Sequence, residues 1–470
     1  MTQMQDRKTL EAAAAWLDEA KIRECLAAAE PRAERVLEIL RKAEEMQGLM
    51  AEEVSVLMNL DDPALLNTLF RTAETIKEQI YGPRIVLFAP LYVSNRCANE
   101  CSYCAFRAGN SIERNSLTRA QVVREVEELV RQGHKRVLLV SGEDPSPDGF
   151  QHILDSIAAV YSVKSGNCEI RRVNANIAPL TVEQFHRLKQ AEIGTYQLFQ
   201  ETYHRETYEK HHTVGPKKDF LWRVTAFDRA MEAGIDDVGI GVLFGLYDWK
   251  FEVLAMLQQI RHLEDRFGVG PHTISVPRLE PADGSAFSEA PPFMVSDADF
   301  RKLVAILRLT VPYTGIIMST RENAEMRRET LRLGVSQISA GSRTDVGGYA
   351  EGCDAAPGQF ELGDHRSLED VVHDLATMGY VPSFCTACYR MGRTGRDFMD
   401  LAKPGEIKAH CDPNALSTFM EYLLDYATPA TVEAGRKLIA LRLAAMDPQT
   451  RAFTETQIAR VEQGNRDIFV

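Results

Sequence analysis

From residue 84 to residue 340 the sequence alternates short apolar, β-branched runs with amphipathic stretches of helical spacing. This alternation is the pattern of βαβ units, in which parallel strands are connected by helices. Eight such runs can be counted: Ile85–Tyr92, Arg136–Val140, Glu169–Asn176, Thr195–Phe199, Asp237–Val242, His272–Val276, Tyr313–Met318 and Ser336–Ala340. Eight parallel strands predict a closed α/β barrel of the TIM type. A six-stranded partial barrel is the alternative, which the count disfavours.

Helical patterns flank the predicted barrel on both sides. The last helix before it has clear ends, because Asp62 is a natural N-cap, Pro63 suits the first helical position and Gly82 follows the end. Within the barrel, Thr118 and Gln121 form a capping box before a helix. The sequence therefore divides into three predicted parts: an N-terminal helical extension at 1–82, the barrel at 83–379 and a mostly helical C-terminal domain at 380–470.

The composition limits the classes of partner. The 470 residues include 67 acidic and 54 basic side chains, with a formal net charge of −13 and no Lys/Arg-rich block. Neither feature favours a nucleic-acid partner. No apolar run reaches membrane-spanning length, and residues 1–6 do not resemble a secretion signal. We therefore expect a cytoplasmic protein with no membrane partner.

Six of the nine cysteines form two groups, which indicates metal ligands in a reducing compartment and not disulfides. The first group is Cys97, Cys101 and Cys104, in a CxxxCxxC arrangement after the first predicted strand. Three thiolates in one loop can hold an iron-sulfur cluster and leave one iron without a protein ligand. A zinc site is the alternative, but no Cys or His follows closely enough to be an obvious fourth ligand. The other three cysteines are expected to be inert thiols: Cys25, Cys168 and Cys353.

This spacing, with Tyr103 before the third cysteine, resembles the signature of the radical S-adenosylmethionine (SAM) superfamily. The resemblance implies a 4Fe-4S cluster whose open iron binds SAM and splits off a 5'-deoxyadenosyl radical. Ser141-Gly142-Glu143 resembles the superfamily's GGE motif, with serine replacing the first glycine. Further candidates follow other strands, whose carboxyl ends share one face of a parallel barrel. The expected SAM-binding residues are Tyr103, Ser141, Gly142, Glu143, Asn174, Glu201 and Gly241.

Two later strands end in arginines that suit an amino-acid substrate. Arg278 follows the sixth run, and Ser319, Thr320 and Arg321 follow the seventh. An arginine can bind a carboxylate with a two-pronged, charge-assisted contact, although either arginine would serve equally well in a salt bridge. The Ser-Thr-Arg cluster resembles the carboxylate site of the radical SAM lyases that act on tyrosine or tryptophan. These residues are therefore the expected substrate-binding set.

The second cysteine group, Cys385, Cys388 and Cys411, lies in the C-terminal part. A distant third thiolate can complete a three-cysteine cluster site, and a Cys3His zinc site with His410 is the alternative. CxxxCxxC in a barrel plus CxxC-x22-C after it closely resembles the HydG family of tyrosine lyases, which mature the di-iron hydrogenase.

The family implies cleavage of the Cα–Cβ bond of L-tyrosine to p-cresol and dehydroglycine, then conversion of dehydroglycine to carbon monoxide and cyanide. It also implies a second 4Fe-4S cluster with an additional labile iron held by His272, and hydrogenase-maturation proteins as partners. His272 begins the sixth run, at the barrel face opposite the SAM site, where a structural role is the ordinary one. A strand of about seven residues would separate the two clusters by roughly 20 Å.

Two alternatives remain on the sequence. The 2-iminoacetate synthase of thiamine biosynthesis also cleaves tyrosine but lacks the second cysteine group, so Cys385, Cys388 and Cys411 argue against it. A non-catalytic iron-sulfur scaffold would leave the substrate-binding candidates without a purpose. The long segment Gly341–His365, which follows the eighth run, has the length of a functional loop but no assigned role.

Overall fold

The structure is a computed structural model, and it describes residues 7–166, 168–350, 358–403 and 406–469. Cys353 lies outside the described residues. No described helix combines the length and the apolar character that crossing a membrane requires.

Eight parallel strands form a closed barrel, because β1 pairs with β2 on one side and with β10 on the other. The strands are β1 Arg84–Ser94, β2 Arg136–Ser141, β3 Lys164–Ser165, β4 Cys168–Glu169, β5 Arg172–Asn176, β6 Tyr196–Glu201, β7 Val238–Val242, β8 Thr273–Ser275, β9 Gly315–Met318, β10 Val335–Ser339 and β11 Val381–Ser383. The eight predicted runs are thus confirmed as strands, and the six-stranded alternative is wrong.

Two details of the sheet differ from the prediction. The third run is broken, since β4 pairs antiparallel with β3 in a small hairpin and the barrel strand β5 begins only at Arg172. Strand β11 was not predicted; it pairs parallel with the start of β1 and extends the sheet outside the barrel. Because of this pairing, the segment that carries the second cysteine group begins beside the amino end of β1.

Helices surround the barrel and extend it at both ends of the chain. Before the barrel lie α1 Arg7–Ala13, α2 Glu19–Ala28, α3 Ala33–Ala43, α4 Ala51–Met58 and α5 Pro63–Tyr81. Between the strands lie α6 Arg119–Arg131, α7 Pro147–Ser162, α8 Val182–Gln190, α9 Arg205–His211, α10 Phe220–Val224, α11 Ala226–Glu232, α12 Trp249–Phe267, α13 Ala286–Glu289, α14 Asp297–Thr310, α15 Ala324–Leu333 and α16 Leu368–Thr377. After β11 follow α17 Ala387–Arg390, α18 Gly395–Ala402, α19 Lys408–Asp425, α20 Pro429–Ala444 and α21 Pro448–Glu462.

The predicted helix ends agree with the hydrogen bonding. The Asp62 carboxylate accepts from the second and third backbone N–H groups of α5, and Gly82 closes that helix with a φ of 59°. Thr118 and Gln121 form the expected capping box at the start of α6. Buried apolar side chains from all three predicted parts belong to one continuous core. The three-part division itself therefore stays a prediction about the sequence.

The barrel interior is unusually polar. Barrels of this type are ordinarily filled by bulky apolar side chains. Here glycines on β7 and β9 leave space, and several polar side chains are buried in the interior: Gln197, Thr273, Ser275, Gln337 and Ser339. A Cβ at Gly239 would lie 2.5 Å from the Thr273 hydroxyl, so the glycine is needed for that side chain to fit. This interior lies between cavities at the two ends of the strands.

Candidate functional site

The larger cavity, here the upper cavity, lies at the carboxyl ends of the strands and encloses about 1460 Å³ including its opening to solvent. Most of the predicted site residues line it: Cys97, Cys101, Tyr103, Cys104, Ser141, Gly142, Glu143, Glu201, Ser319, Thr320 and Arg321.

Hydrogen bonds hold the first cysteine loop against the end of β2. The backbone N–H of Ala98 donates to the Glu143 carbonyl at 2.9 Å, and the Asn99 amide donates to the Glu143 carboxylate at 2.6 Å. Gly142 has to be glycine, since a Cβ there would lie 2.3 Å from the Arg96 carbonyl oxygen and 3.2 Å from the Cβ of Cys97. The motif glycine thus lets the strand end and the cysteine loop touch.

The chemistry of the upper thiols suits an iron-sulfur cluster. Burial raises the pKa of Cys101 to about 12 and that of Cys104 to about 11. Isolated thiolates are therefore disfavoured there, and a group that carries iron would supply the positive charge that stabilises them. Tyr103 is fixed by a hydrogen bond between its hydroxyl and the His212 ring nitrogen at 2.7 Å. The three thiols and this aromatic wall form a donor set that fits the cluster expected from the motif.

Glu201 ends strand β6 in a strained conformation, with a φ of 73°. Its carboxylate accepts from the Lys217 ammonium at 2.6 Å and faces the Arg223 guanidinium at 3.4 Å. Both cations line the upper cavity, and the sequence analysis missed them. They belong to no motif, and their distance in sequence from Glu201 gave no signal.

The two arginines proposed for the substrate behave differently. Arg321 lines the upper cavity, lies over the Phe360 ring at 3.2 Å, and forms no ion pair within the described ranges. Arg278 is outside the cavity wall; it donates to both Glu322 oxygens and to the Asp297 carboxylate at 2.7 Å. Arg278 therefore has a structural ion pair, whereas the Arg321 guanidinium is available to a ligand.

Two residues predicted to contact SAM also lie outside the cavity wall. The Asn174 amide oxygen accepts from the Thr195 backbone N–H at 3.1 Å, deeper in the barrel, and Asn176 lines the cavity instead. Gly241 is packed against Phe199, whose ring lies 2.8 Å from the position of an added Cβ. Neither residue therefore lines the upper cavity.

Described residues of the segment after β10 form one side of the upper cavity. Gln359 donates to the Cys104 sulfur at 3.7 Å and accepts from the Tyr92 hydroxyl at 2.9 Å. Phe360 and Thr344 line the same wall. Glu280 also lines the upper cavity, and burial, followed by the nearby Glu322 charge, raises its pKa to about 7. The unassigned segment Gly341–His365 therefore contributes side chains to the cysteine loop.

A second cavity, here the lower cavity, lies at the amino ends of the strands. Its lining includes the second cysteine group and the predicted histidine together with charged side chains from the barrel floor: Arg84, Arg136, Asp237, His272, Cys385, Cys388, Tyr389, Arg393, Phe398 and Cys411. The second group and His272 thus lie in the lining of one cavity, and His410 lies outside that lining.

The lower thiols lie among arginines. A hydrogen bond from the Cys388 thiol lowers the pKa of Cys411; burial opposes this effect, and the nearby Arg84 charge adds to it. Arg136 donates to the Cys385 carbonyl at 2.9 Å. Within the described ranges, no three His, Cys, Asp or Glu side chains converge as the ligands of a single ion would. A cluster, in which each thiolate binds a different iron, does not require that convergence.

Comparisons with known proteins agree with this arrangement. Residues 91–260 match the Radical SAM superfamily, and residues 275–381 match the Biotin and Thiamin Synthesis associated domain. The 2-iminoacetate synthase of Escherichia coli is 30% identical over 344 residues, which cover 73% of this chain and 89% of that protein. The FeFe-hydrogenase maturase subunit HydE of Thermotoga maritima is 26% identical, over 64% of this chain and 82% of that protein.

Two solved structures match almost the whole chain. A crystal structure of HydG, a maturase of the FeFe-hydrogenase, has a TM-score of 0.94 and 51% identity, covering 97% of this chain and 100% of that chain. The X-ray structure of HydG from Carboxydothermus hydrogenoformans has a TM-score of 0.83 and 40% identity, covering 96% of this chain and 99% of that chain. The alignments therefore include both cavities.

Proposed function

Because this chain belongs to the HydG family of radical SAM enzymes, we propose that it cleaves L-tyrosine to p-cresol and dehydroglycine and converts the latter to carbon monoxide and cyanide. The observation that carries the proposal is the pair of three-cysteine cavities at opposite ends of one barrel. The products would form part of an iron synthon for the hydrogenase, delivered to other hydrogenase-maturation proteins.

In the upper cavity, Cys97, Cys101 and Cys104 would hold the 4Fe-4S cluster that, when bound with SAM, supplies the deoxyadenosyl radical. The residues of the chain position the rest. The backbone around Gly142 and Glu143 faces the cavity beside the cysteine loop, where it can accept the SAM amino group. The pair of Glu201 with Lys217 offers both charges to the polar groups of SAM.

Tyrosine would bind against the wall formed by β8, β9 and the long loop. Arg321 would bind the substrate carboxylate, because its side chain lines the upper cavity and makes no ion pair among the described residues. Ser319 and Thr320 line the same wall and add hydroxyl donors. Glu280, whose pKa is about 7, would attract the substrate ammonium group in its ionised form.

In the lower cavity, Cys385, Cys388 and Cys411 would hold the second cluster, with His272 placed to bind an additional iron. The polar barrel interior would carry dehydroglycine between the cavities and keep it from hydrolysis in bulk water. Thiol ligands of this kind persist in a reducing compartment, which supports a cytoplasmic location.

The second candidate function is that of a 2-iminoacetate synthase, favoured by the 30% identity to the Escherichia coli enzyme. With this function the chain would release dehydroglycine, and the lower cavity would have no role. A scaffold without catalysis would leave Arg321 in the cavity wall without a ligand. The three functions differ in their products.

The test uses anaerobically reconstituted protein with SAM, a reductant and tyrosine. The HydG-type function predicts p-cresol, carbon monoxide and cyanide. Formation of p-cresol without the diatomic products would leave the 2-iminoacetate synthase, and no p-cresol at all would rule out both lyases.

The matched variants are Cys388→Ala and Cys411→Ala. Because these cysteines lie in the lower cavity, both variants should retain p-cresol formation and lose carbon monoxide. Unchanged carbon monoxide would contradict the role of the lower cavity. Iron analysis adds a count: about eight to nine irons per chain support two clusters with an additional iron, and about four exclude the second cluster.

A further inference from the structure

One carboxyl group in the lower cavity has no partner in the protein. Asp237 is 2% exposed, yet neither oxygen of its side chain accepts a hydrogen bond from any described residue. It is the only carboxyl group in the described part of the chain with both oxygens buried in this way. A buried, unpaired carboxylate costs several kcal/mol. A positively charged ligand in the lower cavity would compensate this charge.

The position of Asp237 points to a ligand shared with His272. Asp237 immediately precedes β7 and His272 immediately precedes β8, the neighbouring strand. The His272 backbone N–H donates to the Val238 carbonyl at 2.9 Å, which fixes the two residues side by side at the barrel floor. Both side chains line the lower cavity with the three cysteines.

Two of the nearby cations have other partners. The guanidinium carbons of Arg136 and Arg172 lie 5.3 Å and 4.2 Å from the centre of the Tyr389 ring. Each also donates to a backbone carbonyl, Arg136 at 2.9 Å and Arg172 at 2.6 Å. Among the described residues neither forms an ion pair with Asp237. Asp237 thus lines the lower cavity without a hydrogen bond to a described residue.

We propose that the Asp237 carboxylate is an oxygen ligand of the additional iron that His272 would hold. The inference rests on the proposed function, because that iron belongs to it. Ferrous iron readily binds one imidazole and one carboxylate while keeping further positions for other ligands. The carboxylate also offsets the positive charge of a metal placed among arginines. The three cysteines would hold the cluster, and Asp237 with His272 would hold the iron that leaves with the product.

An alternative role would be to orient His272 by accepting its ring N–H, as carboxylates often do beside metal-bound histidines. In this structure no hydrogen bond joins the two side chains, although both are described. The two roles respond differently to substitution. An asparagine can still accept the ring N–H through its amide oxygen, but it lacks the charge that binds iron.

The test measures iron release from the full-length, anaerobically reconstituted protein and from Asp237→Asn. A ferrous chelator is added, and the release of the additional iron is followed by absorbance while electron paramagnetic resonance follows the second cluster. We expect the additional iron to leave Asp237→Asn at least tenfold faster, with the irons of both clusters retained. The control is Asp236→Asn, since Asp236 is exposed and accepts from Thr394 at 3.1 Å; it should match the wild type.

A second readout does not depend on activity or on the chelator. In iron-free protein, Asp237→Asn should raise the melting temperature, because it removes a buried unpaired charge. On reconstitution the wild type should gain more stability than the variant, since only the wild type retains the full ligand set. A structural role for Asp237 would instead lower the melting temperature of the iron-free variant.

Three results would overturn the proposal. The first is iron release from Asp237→Asn at the wild-type rate, and the second is loss of the whole second cluster from that variant. The third is retention of the iron in Asp237→Asn together with its loss in Asp237→Ala, which would indicate the orienting role. Failure of the proposed function is seen separately, because wild-type protein would then bind only about four irons.

Discussion

The upper and lower cavities each contain three cysteines, but their charged linings differ. The upper cavity balances carboxylates against cations: Glu143, Glu201 and Glu280 against Lys217, Arg223 and Arg321. The lower cavity has mostly cations: Arg84, Arg136 and Arg393 against Asp237 alone. A balanced wall suits zwitterions such as SAM and tyrosine, each of which carries an ammonium and a carboxylate. A cationic wall suits thiolates and other anions, with one carboxylate left for a metal.

The cavities also differ in how the chain supplies the thiols. The upper cysteines lie within one short loop after β1, which Glu143 braces through Ala98 and Asn99. The lower cysteines come from α17, from the segment just before it and from α19, on either side of α18. A local loop can form its site as soon as its strand is in place. The lower site needs the folded C-terminal region, so substitutions beneath the barrel should affect the second cluster first.

The largest expected effect is at Arg321 in the upper cavity. Replacing it by methionine removes a buried, charge-assisted contact with the substrate carboxylate, worth about 3 to 4 kcal/mol. Steady-state assays of p-cresol formation should show a loss of roughly 100- to 1000-fold in kcat/KM for tyrosine. Binding of SAM should change little.

The control for Arg321→Met is Arg278→Met. Arg278 is paired with Glu322 and Asp297 and lies outside the cavity wall, so its loss should lower the melting temperature and leave the KM for tyrosine unchanged. If Arg278→Met raised that KM as much as Arg321→Met, the assignment of the substrate carboxylate would be wrong.

A smaller effect is expected from Glu280, also in the upper cavity. Burial raises its pKa to about 7, so the group becomes ionised as the pH rises through neutrality. The ionised form attracts the tyrosine ammonium group, and the KM should therefore fall by about tenfold between pH 6 and pH 8. In Glu280→Gln this pH dependence should disappear. A wild-type KM that rises over the same range would contradict the assignment.

Arg84 tests the lower cavity. This guanidinium is buried against the thiols; burial opposes its charge, but Cys411 and its neighbours outweigh that effect and raise its pKa. Arg84→Met should destabilise the thiolates and reduce the iron content by about half, because only the second cluster is lost. Arg84→Lys retains the charge and should keep most of this iron. Loss of the upper cluster as well would show that the two sites are not independent.

The features that sequence patterns could predict are local ones. Eight strands follow from alternation within each segment, and the CxxxCxxC loop, the Asp62 cap and the Ser319–Arg321 cluster each lie within a few residues. Strand β11 was missed because three residues are too short for a periodic signal.

What the patterns could not predict depends on partners distant in sequence. The sequence predicts Arg278 as a substrate residue, because its pairing with Glu322, 44 residues later, is visible only in the folded chain. Lys217, which pairs with Glu201, belongs to no motif. Asn174 follows the same alternation as Asn176, but its depth in the barrel depends on the tilt of β5 against β6. The pairing of charged side chains and the depth of a residue in the barrel could therefore be determined only from the structure.

The smallest expected effect contrasts Glu252 with Asp237. Glu252 lies on α12 behind the upper cavity, where it accepts from the Thr202 hydroxyl and from the Tyr203 backbone N–H at 2.9 Å, bracing the turn after Glu201.

Burial raises the pKa of Glu252 from the ordinary 4.5 to about 8. A carboxyl group whose pKa is raised by folding stabilises the fold fully below its unfolded pKa, and this stabilisation is lost as the pH rises towards the folded value. In the wild type the free energy of unfolding should therefore fall by about 2 kcal/mol between pH 6 and pH 8 from this group alone. In Glu252→Gln the amide oxygen can accept from the Tyr203 N–H while the amide N–H donates to the Thr202 hydroxyl. This variant should flatten the dependence of the melting temperature on pH, with iron content unchanged. Iron release from Glu252→Gln, as expected for Asp237→Asn, would contradict this contrast. The presence of hydrogen-bond partners would then not distinguish a structural carboxylate from a metal ligand in this barrel.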